Sequence, residues 1–196
     1  MTIVRRFSQA ISEGDGISLI VEVADAESAR AAAAQGAEGV IVRRPIDGLR
    51  DAVELPILWR GQGRPTEAAA GGADAWTVRV TEDDDDGDRL AAEHAEAAEL
   101  GLDCVVEVRS EEELELALER LDPEIVLFSV DPDDDADALQ RALDLLPDVP
   151  AGKLAVAELS AAGRDQVDEL ERAGVDAVIV GAGNVAELVG DAAPEV

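Results

Sequence analysis

Short apolar runs rich in Val and Ile alternate with longer Ala-, Leu- and Glu-rich segments along the chain. The runs are Ile17–Val23, Gly39–Val42, Pro56–Trp59, Trp76–Val80, Cys104–Val108, Ile125–Phe128, Leu154–Leu159 and Ala177–Val180. They are four to seven residues long and nearly continuous in apolar character, as parallel strands buried on both faces are.

Helices are expected between them. Asp25 is placed to cap a helix over Ala26–Gln35, and Gly36 to end it. Asp88–Leu100 ends at Gly101, and Gly163–Ala173 at Gly174. Ser110 precedes Glu111–Leu121, with Glu113 spaced for a capping box. Asp135–Leu146 runs up to Pro147, Asn184–Ala192 closes the series, and Ile46–Val53 and Thr66–Ala70 carry weaker helical patterns. Eight strand–helix alternations in 196 residues predict a minimal (β/α)8 TIM barrel forming one domain over residues 1–196. A doubly wound sheet usually has fewer strands. The acidic runs Asp83–Asp86 and Asp133–Asp135 read as solvated loops.

In such a barrel, side chains alternate between the lumen and the helix layer, and functional groups stand at the strands' C-terminal ends. Polar residues that interrupt apolar strands are therefore the informative ones. Glu22, Glu107 and Glu158 end the first, fifth and seventh runs. Arg60 follows the third, Thr77 and Arg79 alternate through the fourth, and Arg109 shares the parity of Glu107. Ser129 ends the sixth run, and Gly181, Gly183 and Asn184 follow the eighth. A carboxylate buried in a strand is costly without a partner. Three carboxylates and nearby arginines at one mouth fit a site for a small phosphorylated or carboxylated ligand, with carboxylates available for proton transfer. They also fit an ion-pair network that neutralises itself. Arg43 and Arg44 sit at the mouth edge, where they bind a ligand or balance carboxylates. Gly181 and Gly183, before a helix starting near Asn184, are candidates to present N–H groups to a phosphate.

Composition narrows the function. The chain has 45 Asp and Glu against 16 Lys and Arg, a net charge of −29, which disfavours nucleic acid and anionic membrane as partners. Lys153 is the only lysine, and an acidic, lysine-poor composition resembles that of proteins from extreme halophiles. Cys104 is the single cysteine and His94 the single histidine. No disulfide, zinc site, Cys–His nucleophile or cofactor is expected. Cys104 reads as a core residue and His94 as solvent-facing. Lys153 starts the seventh strand, at the face associated with stability rather than catalysis. No apolar run reaches the ~18 residues of a membrane span, and Met1–Ser12 lacks the apolar stretch of a signal peptide, so the expected location is cytoplasmic. No feature sets the oligomeric state.

The order of these residues resembles the indole-3-glycerol phosphate synthase family, a ribulose-phosphate-binding barrel of tryptophan biosynthesis. The segments are ISLIVEV, LPILWR, GGADAWTVRV, AAELGLDCVVEVRSEEELELALE, LAVAELS and LERAGVDAVIVGAGN. The resemblance implies a carbon–carbon lyase in which Glu107 is the general base, Glu22 and Glu158 are the other two glutamates, Arg60 occupies the position of an acidic-role lysine, and Gly181 lies in the phosphate loop. Several positions differ from the family. Ala24 and Asp25 replace a Lys and a Ser-Pro loop, Ser129-Val130-Asp131 replaces Asn-Asn-Arg, Leu159 replaces a Ser, and the N-terminal extension is reduced to a stub. Both a lyase or isomerase acting on a small phosphorylated substrate and a non-catalytic relative binding a ligand or protein partner are consistent with the sequence.

Overall fold

A computed structural model of the protein describes residues 6–13, 16–81, 88–130, 137–160 and 162–183, together with Val185 and Leu188. Eight parallel strands close into a barrel in chain order, β1 pairing with both β2 and β8. They are β1 (Ser18–Glu22), β2 (Gly39–Val42), β3 (Ile57–Trp59), β4 (Ala75–Arg79), β5 (Asp103–Val108), β6 (Ile125–Phe128), β7 (Leu154–Glu158) and β8 (Ala177–Val180). This is the predicted minimal (β/α)8 barrel, its strand ends within one or two residues of expectation.

The helices are α1 (Phe7–Ser12), α2 (Ala26–Ala34), α3 (Leu49–Ala52), α4 (Pro65–Ala70), α5 (Asp88–Glu99), α6 (Glu111–Arg120), α7 (Ala138–Leu145) and α8 (Arg164–Ala173). Asp25 caps α2 as expected, accepting from the Ser28 amide at 2.7 Å while the Ser28 hydroxyl accepts from the Asp25 amide at 3.1 Å. The box expected at Ser110 forms only in half. The Ser110 hydroxyl accepts from the Glu113 amide, but the Glu113 carboxylate accepts from the Arg109 amide at 2.7 Å. Gly36, Gly101 and Gly174 all take the left-handed conformation that ends a helix. Helix residues buried toward the barrel include many alanines, as at Ala29, Ala32, Ala97 and Ala117, alongside Leu90, Leu114 and Leu170. His94, expected at the solvent, is half-buried on α5. Of the final segment, Val185 and Leu188 are helical and buried. The runs Asp83–Asp86 and Asp133–Asp135 and residue Asn184 lie outside the described residues.

The lumen is filled by one apolar set that includes Ile20, Ile41, Leu58, Val105, Leu127 and Ile179. The N-terminal segment does something the sequence pattern did not reveal: α1 plugs the bottom of the barrel. Phe7 and Ile11 are fully buried within the lumen cluster. The Ser8 amide donates to the buried Asp103 carboxylate at 2.8 Å, and the Ser18 hydroxyl to the Ala10 carbonyl at 3.3 Å. Gly39 makes room for the plug, since a Cβ there would lie 2.9 Å from Ile20 Cδ1 and 3.6 Å from Phe7 Cε2. Among the described residues no helix is long and apolar enough to cross a membrane.

Candidate active site

The charged residues sit at the mouth because of strand parity. Each lies two residues beyond a lumen-filling apolar residue or its equivalent, and so shares its face. Ile20 leads to Glu22, Ile41 to Arg43, Leu58 to Arg60, Val105 to Glu107, Leu127 to Ser129, Val156 to Glu158 and Ile179 to Gly181. On β4 the series is Ala75, Thr77, Arg79, and Arg79 is level with Glu107. The layer capping the apolar lumen is thus three carboxylates, three guanidinium groups, a hydroxyl and a glycine.

Arg60 is the centre of this layer. Its guanidinium grips two carboxylates at once. Nη2 and Nε donate to Glu107 at 2.9 and 3.1 Å, and Nη1 and Nη2 donate to Glu158 at 2.5 and 2.8 Å. Glu107 also accepts from Arg79 Nη2 at 2.6 Å and from the Ser129 hydroxyl at 2.8 Å. The side chains of Arg60 and Glu107 are only 6% and 2% exposed. Burial pushes the Glu107 carboxyl up, but the hydrogen bonds and charge of Arg60, then those of Arg79, reverse this and hold it at about 2. Burial pulls the Arg60 guanidinium down, and its hydrogen bonds to Glu158 and Glu107, with their charge, more than offset this, leaving its pKa raised. The pair is therefore charged throughout the neutral range.

Glu22 does not join this cluster. Its side chain is 43% exposed and makes a two-point pair with Arg43, at 2.8 and 2.9 Å. The expectation of three converging buried carboxylates is corrected to two, because the register sets Glu22 opposite Ile41 and the next lumen-facing residue on β2 is Arg43. The hydrogen bond to Glu22 raises the Arg43 pKa. Arg43 thus balances a carboxylate, while Arg44 is exposed beside it. Arg109 is half-buried beyond Glu107, and its amide turns to the Glu113 carboxylate on α6. Lys153 lies far from the mouth, donating to Asp122 at 2.6 Å.

Two cavities open at the mouth. One, of about 530 Å³, is lined by Glu22, Arg43, Arg44, Glu158, Ser160 and Gly181 among others. The Gly181 amide, expected to face a phosphate, donates to the Ser160 carbonyl at 3.2 Å. A Cβ on Gly181 would sit 2.8 Å from that carbonyl oxygen. Gly183 is exposed. The second cavity, of about 440 Å³, is lined by Arg43, Arg60, Gly61, Gln62, Thr77, Arg79 and Glu107. Gly61 and Gln62 were not singled out from sequence. The signal for Gly61 is steric: a Cβ there would lie 2.0 Å from the Arg43 carbonyl oxygen, so only glycine lets the turn after β3 close on β2. Among the described residues no group of three or more His, Cys, Asp or Glu is arranged to hold a metal ion.

A closed eight-stranded parallel barrel with polar residues gathered at the C-terminal strand ends defines the class: a (β/α)8 TIM-barrel protein. The family model for indole-3-glycerol phosphate synthase matches residues 66–187. An indole-3-glycerol phosphate synthase of Nocardioides sp. is 37% identical over 87% of this chain and 68% of its own length. Those of Variovorax paradoxus and Chlorobium limicola are 35% and 37% identical, over 67% and 44% of this chain. The chain spans about two thirds of the first relative and only 50% and 34% of the other two. The chain belongs to the indole-3-glycerol phosphate synthase family. Among solved structures, a designed cube-shaped porous protein cage and a structure described as native KDPGal each superpose with TM-score 0.63 at 14% identity. They cover 88% and 87% of this chain, and 71% and 92% of their own. These two agree with the fold.

Proposed function

We propose that this chain is a family member without synthase chemistry, a barrel that binds a small phosphorylated or carboxylated ligand at its mouth. One observation carries the reading: Arg60, at the position where the family's acid is expected, is clamped by both Glu107 and Glu158. A guanidinium does not release its proton in proteins, so Arg60 holds charge but is a poor general acid. Glu107, at the position of the base, has its carboxyl held at about 2. A useful base has a pKa near the working pH. The two halves of a proton-transfer pair thus neutralise each other instead of serving a substrate.

The test is indole formation from the synthase substrate in ~2 M KCl, where surface repulsion is screened to within about 3 Å. The expected result is no turnover. A kcat near the ~1 s⁻¹ of ordinary enzymes would sink the proposal. An enzymatic alternative, a lyase or isomerase acting on a small phosphorylated substrate, draws its support from Glu22. That carboxylate borders the larger cavity and its side chain is 43% exposed.

A further inference from the structure

The 440 Å³ cavity between β2 and β5 differs from the rest of the mouth in the polar groups it has to spare. Among the described residues the buried Thr77 hydroxyl has no hydrogen-bond partner, in a residue only 8% exposed. Thr77 shares the lumen-facing parity of Ala75 and Arg79, so its side chain stands in the cavity wall. Leaving a hydroxyl dry and unpaired is costly. Among the same residues Arg79 binds Glu107 through Nε and Nη2, and Arg43 binds Glu22 through Nε and Nη2. Each keeps Nη1 in reserve. Gln62 adds an amide at the rim. The carboxylate in the cavity lining, Glu107, is already taken by Arg60, Arg79 and Ser129. The two arginine groups can only donate, and Thr77 and Gln62 can donate as well, so a ligand rich in acceptors matches them all.

Resting on the reading of the mouth as a binding site, we propose that this cavity receives a compact oxyanion, the carboxylate or phosphate of a small molecule. The Nη1 edges of Arg43 and Arg79 and the Thr77 hydroxyl are its donors. This places an anion subsite on the β2–β4 wall, in a different cavity from the Gly181 turn, and makes Thr77 and Arg79 its specificity-determining residues.

The experiment is a titration of the full chain with sodium malonate and, separately, with sodium phosphate, followed by amide NMR shifts with ionic strength held at ~2 M by KCl. Saturable shifts at Thr77–Val80 are expected. Malonate alone would identify a carboxylate ligand, phosphate alone a phosphate ligand, and both a general oxyanion site. Thr77→Val removes the hydroxyl at nearly constant shape and should weaken binding about tenfold, the loss expected of a hydrogen bond to a charged group. Its melting temperature should not fall, because an unpaired buried hydroxyl is removed. Arg79→Gln, at a half-exposed position and with Arg60 still paired to Glu107, should weaken binding by a similar factor. The proposal is overturned if neither anion shifts Thr77–Val80, if shifts are confined to residues 181–183, or if both variants bind as tightly as the parent chain. None of these outcomes bears on indole formation, so this subsite and the loss of synthase chemistry stand or fall separately.

Discussion

Arg60→Met is the most informative single change. It deletes the cation that two carboxylates share, in side chains 6%, 2% and 12% exposed for Arg60, Glu107 and Glu158. Breaking a buried ion pair from one side costs about 3–5 kcal/mol, since the remaining charge is stranded. For a chain of this size that is a fall in melting temperature of roughly 6–20 °C. The pH dependence supplies an independent magnitude. Glu107 is held at about 2 against an ordinary 4.5, which corresponds to about 3 kcal/mol of stability. A depressed carboxyl contributes that stability above pH 4.5 and loses it as the pH falls toward 2. In the variant Glu107 keeps only Arg79 and Ser129, so less of this acid-sensitive stability remains, and the deficit against the parent is greatest near neutrality and shrinks in acid. Urea unfolding in ~2 M KCl at several pH values reads both effects without changing ionic strength. The triple change Arg60→Met, Glu107→Gln, Glu158→Gln should recover most of the loss, because the one charge that then lacks a carboxylate, Arg79, is half-exposed to water. The reasoning fails if Arg60→Met lies within about 1 kcal/mol of the parent at pH 7, or if the triple variant is no more stable than the single one.

Phe7→Ala should cost about 3–5 kcal/mol by urea unfolding, although Phe7 sits in a six-residue helix near the chain end, because its ring closes the lumen floor; a loss under ~1 kcal/mol would mean that the plug is dispensable. Gly174→Ala should cost about 1–2 kcal/mol from backbone strain alone, since φ is +102° and a Cβ would touch nothing within 4 Å; an unchanged midpoint would refute the strain argument. The melting temperature should rise steadily between ~0.1 and ~1 M KCl, as the screening length falls from about 10 to about 3 Å around a net charge of −29; a flat or falling curve would argue against salt adaptation.

The barrel was legible because its signal is repeated eight times, and the mouth because parity links each charged residue to an apolar one two positions earlier. Pairing was not legible. Nothing in the order of Glu22, Arg43, Arg60 and Glu107 says that Glu22 takes Arg43 while Arg60 takes Glu107 and Glu158. That depends on the stagger between neighbouring strands, which shifts Glu22 level with Ile41 but Arg79 level with Glu107. The helix α1 was missed for another reason. Phe7 and Ile11, spaced by four over six residues, are too little to nucleate a helix alone, and packing into the barrel floor supplies what local propensity lacks. At Ser110 the cap itself was read correctly, but the choice of the Glu113 carboxylate between two neighbouring amides was not, since both lie within its reach.

The exchange of lysine for arginine links the surface of this protein to its mouth. With one lysine in the chain, nearly every cation is a planar fork that keeps its proton and suits two-point pairing with carboxylates. On the outside, that choice serves a chain whose charge is overwhelmingly negative. In the mouth it has a chemical consequence. A lysine at position 60 would be a point charge able to give up a proton when buried. Arg60 instead spans Glu107 and Glu158 together and holds Glu107 ionised. Since such a network adds little net stability over apolar packing, its effect is on geometry and charge: it sets the floor of both cavities and removes Glu107 from competition for ligand. The donors left facing the β2–β5 cavity then belong to Arg43, Thr77 and Arg79. If the two proposals above hold, the arginine that closes one kind of chemistry is also what leaves the mouth's spare donors for an anion.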